Sequence, residues 1–124
     1  MSRVRGRDTK PEMLVRRIAH GMGYRYRLHR RDLPGSPDLV FPARKKVVFV
    51  HGCFWHQHPD PKCPLVRLPK TKLDFWRPKL ETNRKRDERN VALLAELGWD
   101  TLEIWECQTK SWKDLQARMR EFLE

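Results

Sequence analysis

The spacing of hydrophobic positions along the chain predicts three helices. The first starts at Thr9, which can cap it, with Pro11 in its first turn. Its apolar residues recur at helical intervals: Leu14, Val15, Ile18 and Met22. The second covers residues 80–97 and stops at Gly98, a residue typical of helix C-termini. The third covers residues 112–123.

Four shorter segments have the pattern of strands. Residues 24–28 alternate in character, and residues 38–41 follow a turn rich in proline and glycine. Residues 45–50 contain an apolar run that indicates burial within a sheet, and residues 101–105 form the fourth strand. This order predicts an α/β fold in which helices flank a mixed central sheet, with the second and third strands antiparallel.

The length of the chain predicts its domain count, and its charge predicts a polyanionic partner. The 124 residues predict one domain, residues 1–124, with one modest core. Lys and Arg outnumber Asp and Glu by 27 to 16, and residues 1–31 alone hold ten basic and two acidic side chains. We therefore expect a nucleic acid as the partner first and an anionic membrane surface second. A solvated basic surface is the simpler alternative.

Apolar runs and cysteines indicate the compartment. The longest apolar run, residues 47–50, is far shorter than the ~20 residues that cross a bilayer, and the basic start leads into no apolar segment. We therefore expect neither a membrane span nor a secretory signal. The three cysteines are an odd number, which argues for a reducing, cytoplasmic compartment and for metal binding or catalysis.

Residues 51–70 form a long connection, and connections of this length are usually functional or disordered. Cys53, His58 and Cys63 lie within it, and Cys107 lies just past the fourth strand. Three thiolates and one imidazole form a closed tetrahedral set that suits structural zinc. The alternative is that the cysteines fill small apolar spaces and that His58 is a surface residue.

A second group of polar residues lies at strand ends. Asp38 begins the second predicted strand, and Val50 and His51 end the third. Because these ends are neighbours in an antiparallel hairpin, a carboxylate, a main-chain carbonyl and an imidazole can converge there. Oxygen donors of this kind suit magnesium. The alternative for Asp38 is a turn residue that bonds its own backbone.

Two further carboxylates have both a structural and a chemical explanation. Asp87 lies on the apolar stripe of the long helix, where it needs a partner such as a histidine of the adjacent loop. Arg84 or Arg86 could pair with it instead. Glu12 completes a Thr-x-x-Glu capping box with Thr9, and this role excludes a role in a site if the helix starts as predicted.

Several motifs together resemble those of the very short patch repair (Vsr) DNA mismatch endonucleases. The most specific are the run HGCFWHQH at residues 51–58 and the distant WEC at residues 105–107. Further matches are RDT at residues 7–9 with Glu12, LPGSPD at residues 33–38, the spaced FW, K, N and RD of residues 75–87, and LGW at residues 97–99. The resemblance covers nearly the whole chain.

The resemblance implies a restriction-endonuclease-like fold with a structural zinc site. It also implies an enzyme that nicks one strand of double-stranded DNA 5′ to the thymine of a T:G mismatch, the product of 5-methylcytosine deamination. The expected setting is the bacterial cytoplasm, and the expected state is a monomer. Mismatch-repair proteins and a cognate cytosine methyltransferase are the further partners that the resemblance implies.

The resemblance assigns the catalytic roles residue by residue. Asp38 would be the direct carboxylate ligand of catalytic Mg²⁺, with the main-chain carbonyl of Val50 beside it. His56, oriented by Asp87, would be the general base or would position the attacking water. His51, paired with Glu12, would bind metal-associated water.

The resemblance also assigns residues outside the catalytic group. The structural zinc ligands would be Cys53, His58, Cys63 and Cys107. Phe54, Trp55 and Met1 would wedge into the base stack beside the mismatch. Lys79 and Asn83 are candidates for base contacts that set the flanking sequence preference. We expect most of the family's usual N-terminal arm to be absent, and the spacing between His58 and Cys63 is longer than in the family pattern.

Two other functions compete with a magnesium-dependent nickase. A non-catalytic, zinc-stabilised DNA-binding module would explain the charge and the cysteines, but it would leave Asp38, His56 and Asp87 without a role. An RNA-binding basic protein of ribosomal type would explain the charge alone.

Overall fold

A computed structural model describes residues 9–56, Cys63 and residues 72–124, with the side chains of Phe54 and Trp55 excepted. In chain order the helices are α1 (Lys10–Gly21), a short α2 (Cys53–His56), α3 (Leu73–Glu96) and α4 (Trp112–Leu123). The strands are β1 (Arg27–Leu28), β2 (Leu39–Phe41), β3 (Lys46–His51) and β4 (Asp100–Trp105). Within these ranges, no helix is long and apolar enough to cross a membrane.

The four strands form one mixed sheet in the order β1-β2-β3-β4. β1 and β2 are antiparallel, and so are β2 and β3, with Leu39 opposite Val48. β3 and β4 are parallel, with Val48 opposite Leu102. The predicted α/β architecture with a mixed sheet, and the antiparallel pairing of the second and third strands, are both confirmed.

Apolar residues pack on both faces of this sheet rather than in the one modest core that the chain length predicts. Alternate residues of a strand point to opposite faces, so β2 and β3 supply both layers. The first cluster joins α1, α4 and the sheet through Val15, Ile18, Ala19, Leu39, Phe41, Val48, Ile104, Leu115, Met119 and Leu123. The second joins α3 to the opposite face through Leu33, Val40, Val47, Phe49, Leu94 and Trp99.

Two element boundaries differ from the predictions by more than one residue. β1 is shorter than residues 24–28, because only Arg27 and Leu28 pair with β2. The rings of Tyr24 and Tyr26 pack against Phe41. α3 begins at Leu73 instead of residue 80 and includes Pro78. An internal proline costs a helix about 3 kcal/mol, which is why the proline-rich middle of the sequence indicates a loop. Here the helix continues through it.

Candidate active site and cysteine cluster

A cavity of about 450 Å³ opens where β2 begins and β3 ends. It is lined by His29, Arg31, Gly35, Ser36, Asp38, Phe49, Val50, His51, His56 and Asp87. Three imidazoles and two carboxylates therefore face one space. Every described member of the predicted catalytic group except Glu12 lines this cavity, and Glu12 contacts one of the lining histidines, His29.

The hairpin register places Asp38 against the end of β3. Its Oδ2 accepts a hydrogen bond from the Val50 N–H at 2.7 Å, so the predicted convergence of these strand ends is confirmed. The pKa of Asp38 is raised to about 7, mainly by burial. The hydrogen bond from Val50 lowers this pKa, and the negative charge of Glu12 raises it. A carboxylate held in such surroundings favours a nearby cation.

Glu12 lies in the first turn of α1 and is only 1% exposed. Its N–H donates to the Thr9 hydroxyl at 3.3 Å, which confirms the predicted cap. Its carboxylate Oε2 lies 2.7 Å from His29 Nε2 and accepts from Arg16. The helix starts as predicted, and the Glu12 carboxylate still reaches His29, because the backbone N–H makes the bond to Thr9.

His29 was missed by the sequence analysis. It follows β1 with a φ of 49°, and its N–H donates to the Asp38 carbonyl at 3.2 Å. Its Nε2 lies 3.9 Å from Asp38 Oδ1. A histidine followed by two arginines has the appearance of a solvated basic segment, so local sequence carries little signal for this position.

His56 and Asp87 form the second carboxylate–histidine contact. The one-turn helix α2 begins directly after β3 and carries His56 towards α3, where its Nδ1 hydrogen-bonds to Asp87 Oδ2. The predicted partner of Asp87, a histidine of the adjacent loop, is thus confirmed. Arg86, one of the alternative partners, donates to Asn83.

His51 ends β3 and is buried among aromatic rings. Its ring centroid lies 4.3 Å from that of His56, 4.8 Å from Trp105 and 5.6 Å from Phe49. Its potential ligand atoms group with those of His56 and Asp87, whereas Glu12 groups with His29 and Asp38. The Glu12 carboxylate reaches the end of β1, and the expected pairing of His51 with Glu12 stays a prediction.

Glu103 is a further residue that the sequence analysis did not identify. It lies on β4, and its Oε2 is 3.8 Å from His51 Nε2. Burial raises the pKa of Glu103, and the negative charges of Asp87 and Glu88 raise it further. A second cavity of about 280 Å³ is lined by His51, His56, Arg84, Asp87, Glu88, Glu103 and Trp105.

The three cysteines converge although two distant segments supply them. Their sulfurs lie within 4.8 Å of one another and form no disulfide. The Cys107 N–H donates to Cys53 Sγ at 3.4 Å, and burial raises the pKa of Cys53 to about 12. A thiolate-binding cation would offset that cost, so the donor set fits a metal such as zinc. His58 lies outside the described residues.

The proposed DNA contacts are only partly described. Lys79 and Asn83 lie on α3, with Lys79 exposed and its Nζ 4.7 Å from the centre of the Phe75 ring. Met1 and the side chains of Phe54 and Trp55 lie outside the described part of the molecule. The wedge role therefore stays a prediction.

Comparison with known proteins places this arrangement in context. The family model of the DNA mismatch endonuclease Vsr matches residues 1–62. The type II nicking enzyme V.XorIIP of Xanthomonas oryzae pv. oryzae is 51% identical over 124 residues, which is 100% of this chain and 89% of that protein. The DNA mismatch endonuclease Vsr of Escherichia coli is 40% identical over 107 residues, 86% of this chain and 67% of that protein.

Proposed function

Because the chain belongs to the Vsr family of DNA mismatch endonucleases, we propose that it nicks double-stranded DNA 5′ to the thymine of a T:G mismatch with the help of Mg²⁺. The chain is a DNA endonuclease by family; the mismatch, the strand and the metal are the proposal. The observation that carries it is the placement of Asp38 and the His56–Asp87 pair on one cavity.

The residues of the cavity divide the work of phosphodiester hydrolysis. Asp38 and the carbonyl of Val50 would hold Mg²⁺, which supplies charge stabilisation at the phosphate and lowers the pKa of a bound water. His56 binds Asp87 through Nδ1, so Nε2 is the atom that can take a proton from the attacking water. The Asp87 carboxylate keeps the ring in one direction and stabilises its protonated form.

His51 and Glu12 would support this group from either side. His51 lies against His56, and Glu12 reaches Asp38 through His29. We propose that His51 orients water around the metal and that Glu12 acts beside His29.

The cysteine cluster has a structural role in this proposal. Zinc held by Cys53, His58, Cys63 and Cys107 would join the segment after β3 to the end of β4, within a restriction-endonuclease-like fold. A closed set of four such ligands leaves no position for a reactive water, so the zinc would take no part in hydrolysis.

DNA binding would depend on charge and on a few specific contacts. The basic side chains of residues 1–31 would contact phosphates, which position a duplex without reading its sequence. Met1, Phe54 and Trp55 would open the base stack at the mismatch, and Lys79 and Asn83 would contact base edges. We propose that the protein acts in the cytoplasm as a monomer, together with mismatch-repair proteins and a cytosine methyltransferase.

A nicking assay tests this function. Duplexes with one T:G pair in varied flanking sequences are compared with the same duplexes carrying T:A, with and without Mg²⁺. We expect one nick, 5′ to the mismatched thymine, only with Mg²⁺. Asp38→Ala should still bind the duplex through phosphate contacts and should not nick it.

Two results would count against the proposal. Equal nicking of T:A duplexes would remove the mismatch specificity, and near-normal nicking by Asp38→Ala would remove the metal assignment. Binding without nicking in every sequence and cation tested would support the non-catalytic, zinc-stabilised module instead.

A further inference from the structure

A compact group of side chains occupies one end of the cavity, beside the predicted catalytic residues. It consists of Glu12 from α1, His29 from the end of β1 and Asp38 from the start of β2, and their potential ligand atoms lie within 4.8 Å of one another. Mg²⁺ holds its ligands about 2.0–2.1 Å away, so two ligands of one such ion lie at most about 4.2 Å apart, and His29 Nε2 lies 2.7 Å and 3.9 Å from the two carboxylates. The spacing therefore permits all three to bind the same cation.

His29 is aimed at both carboxylates. Its Nε2 lies 2.7 Å from Glu12 Oε2 and 3.9 Å from Asp38 Oδ1, and its side chain is 15% exposed. Asp38 directs its other oxygen, Oδ2, to the Val50 N–H, so Oδ1 is the oxygen that faces the imidazole. The carboxylate is thus oriented by the backbone of β3 and presents one oxygen to His29.

The backbone of His29 is also constrained. A φ of 49° is left-handed, a conformation that residues other than glycine seldom adopt. The N–H of His29 donates to the carbonyl of Asp38, which ties the two residues together at the sheet edge. Unfavourable backbone conformations of this kind persist where the surrounding structure enforces them and are frequent at functional sites.

The charge of the group calls for a cation. Two carboxylates meet there, and Arg16 supplies one positive charge to Glu12. A divalent cation between the two carboxylates would offset their mutual repulsion.

We propose that His29, through Nε2, is a protein ligand of the divalent cation held by Asp38 and Glu12, and that this nitrogen makes the site bind Mn²⁺ more tightly than Mg²⁺. The inference rests on the proposed metal-dependent function and adds a ligand to it. Mg²⁺ prefers oxygen donors alone, whereas imidazole nitrogen strengthens binding of transition metals. The site is then a mixed one, with two oxygen donors and one nitrogen donor from the protein side chains.

Mn²⁺ binding without DNA tests the inference, because it needs no catalysis and because Mn²⁺ competes poorly for thiolates. The full-length protein, purified without chelators, is titrated with Mn²⁺ by electron paramagnetic resonance, and pulsed measurements report coupling to a directly bound nitrogen. We expect nitrogen coupling in the wild type. His29→Gln should lose it and bind Mn²⁺ at least about 10–100-fold more weakly, because the loss of even a residue that only supports a ligand costs that much.

The variants are chosen to separate ligation from folding. Glutamine can still donate a hydrogen bond to Glu12, and His20→Gln, at an exposed position of α1, should keep both the coupling and the affinity. If His29→Gln does not fold, His51→Gln and His56→Gln decide the question: coupling that survives in both supports His29, and coupling lost in either overturns it.

Failure of the inference can be told apart from failure of the function. Nitrogen coupling that persists in folded His29→Gln, or that is absent from the wild type, overturns the ligand assignment. If the wild type nevertheless nicks T:G duplexes with Mg²⁺, the proposed function stands without it. If the wild type fails to nick T:G duplexes with every cation tested, both the proposed function and the ligand assignment that rests on it are overturned.

Discussion

At the scale of single residues, the contact between His56 and Asp87 links structure to chemistry most directly. Asp87 lies on α3 and His56 on α2, so two helices must meet for the pair to form. An imidazole held at Nδ1 by a carboxylate has one tautomer and one direction, and both matter to a general base.

Loss of this pair should reduce the nicking rate in a non-additive way. General bases contribute about 10²–10⁴-fold, so we expect His56→Ala to cost at least about a hundredfold and Asp87→Asn somewhat less. Because Asp87 acts through His56, the double variant should be scarcely slower than His56→Ala. The measurement is single-turnover nicking of a T:G duplex at saturating enzyme. Multiplicative losses would show that the residues act separately, and a near-normal rate for His56→Ala would move the base role to His51.

The position of Glu103 in the fold alters the pKa of its carboxyl group. Burial and the charges of Asp87 and Glu88 raise its pKa, so the folded state holds this proton more tightly than the unfolded chain does. The group therefore favours folding below its unfolded pKa, about 4.3, and that contribution is lost as the pH rises through the folded pKa.

Replacement of Glu103 should change the pH dependence of stability accordingly. We expect Glu103→Gln to unfold at a higher urea concentration than the wild type above this pH window and at a similar concentration below it. Urea unfolding across pH 4–8 makes the comparison, with Glu121→Gln, an exposed position on α4, as the control. A stability difference that is the same at every pH would show that Glu103 does not titrate in this way.

At the scale of elements, the turn before β2 sets the edge of the cavity. Gly35 has a φ of 77°, and a Cβ there would lie 3.0 Å from Asn90 Nδ2 and 3.1 Å from the Phe49 ring. The turn therefore packs between α3 and β3, and glycine is the residue type that fits there. Asp38 follows three positions later, so this turn places it at the cavity.

A methyl group at this turn should destabilise the fold. We expect Gly35→Ala to lower the free energy of unfolding by about 1–3 kcal/mol, because alanine is unfavourable in the left-handed region and the new contacts are close. Gly21→Ala is the matched control: it ends α1 and has no heavy atom within 4 Å of the added Cβ, so it should be neutral or slightly stabilising. Urea unfolding of both variants decides; equal stabilities would show that the turn tolerates a side chain.

At the scale of the whole molecule, the cysteine cluster connects segments that are far apart in the chain. Cys53 begins α2 directly after β3, and Cys107 follows β4, the parallel neighbour of β3. A metal bound there would hold the site-bearing helix α2 against the sheet. Small domains often depend on such a link, because their cores alone supply little stability.

Zinc removal should therefore unfold the protein or abolish cooperative unfolding. We expect about one equivalent of zinc per purified chain, with loss of the cooperative transition after chelation and its return on adding zinc. Metal analysis and thermal unfolding test this, with excess Mg²⁺ present so that the catalytic cation is never limiting. Folded protein without bound metal and with three titratable thiols would contradict the zinc assignment.

Much of the fold was predictable because local patterns encode it. The cap at Thr9, the apolar strand β3 and the helix stop near Gly98 each depend on neighbours within a few residues. The hairpin brought Asp38 to Val50 for the same reason, since a short antiparallel connection leaves one register that buries both strands. The length of α3 was not predictable in this way, because Pro78 favours a loop locally.

The candidate site also has residues that the sequence identifies and contacts that only the packed structure creates. Residue types and spacing in the chain sufficed to single out Asp38, Asp87 and the cysteines, because metal binding and acid–base chemistry restrict which side chains can serve. The choice of His56 among the loop histidines came from the family resemblance. The contact of Glu12 with His29, the aromatic surroundings of His51 and the approach of Glu103 arise only when α1, β1 and β4 pack around β3. Such contacts join residues far apart in the chain, and their distances depend on packing that no local pattern records.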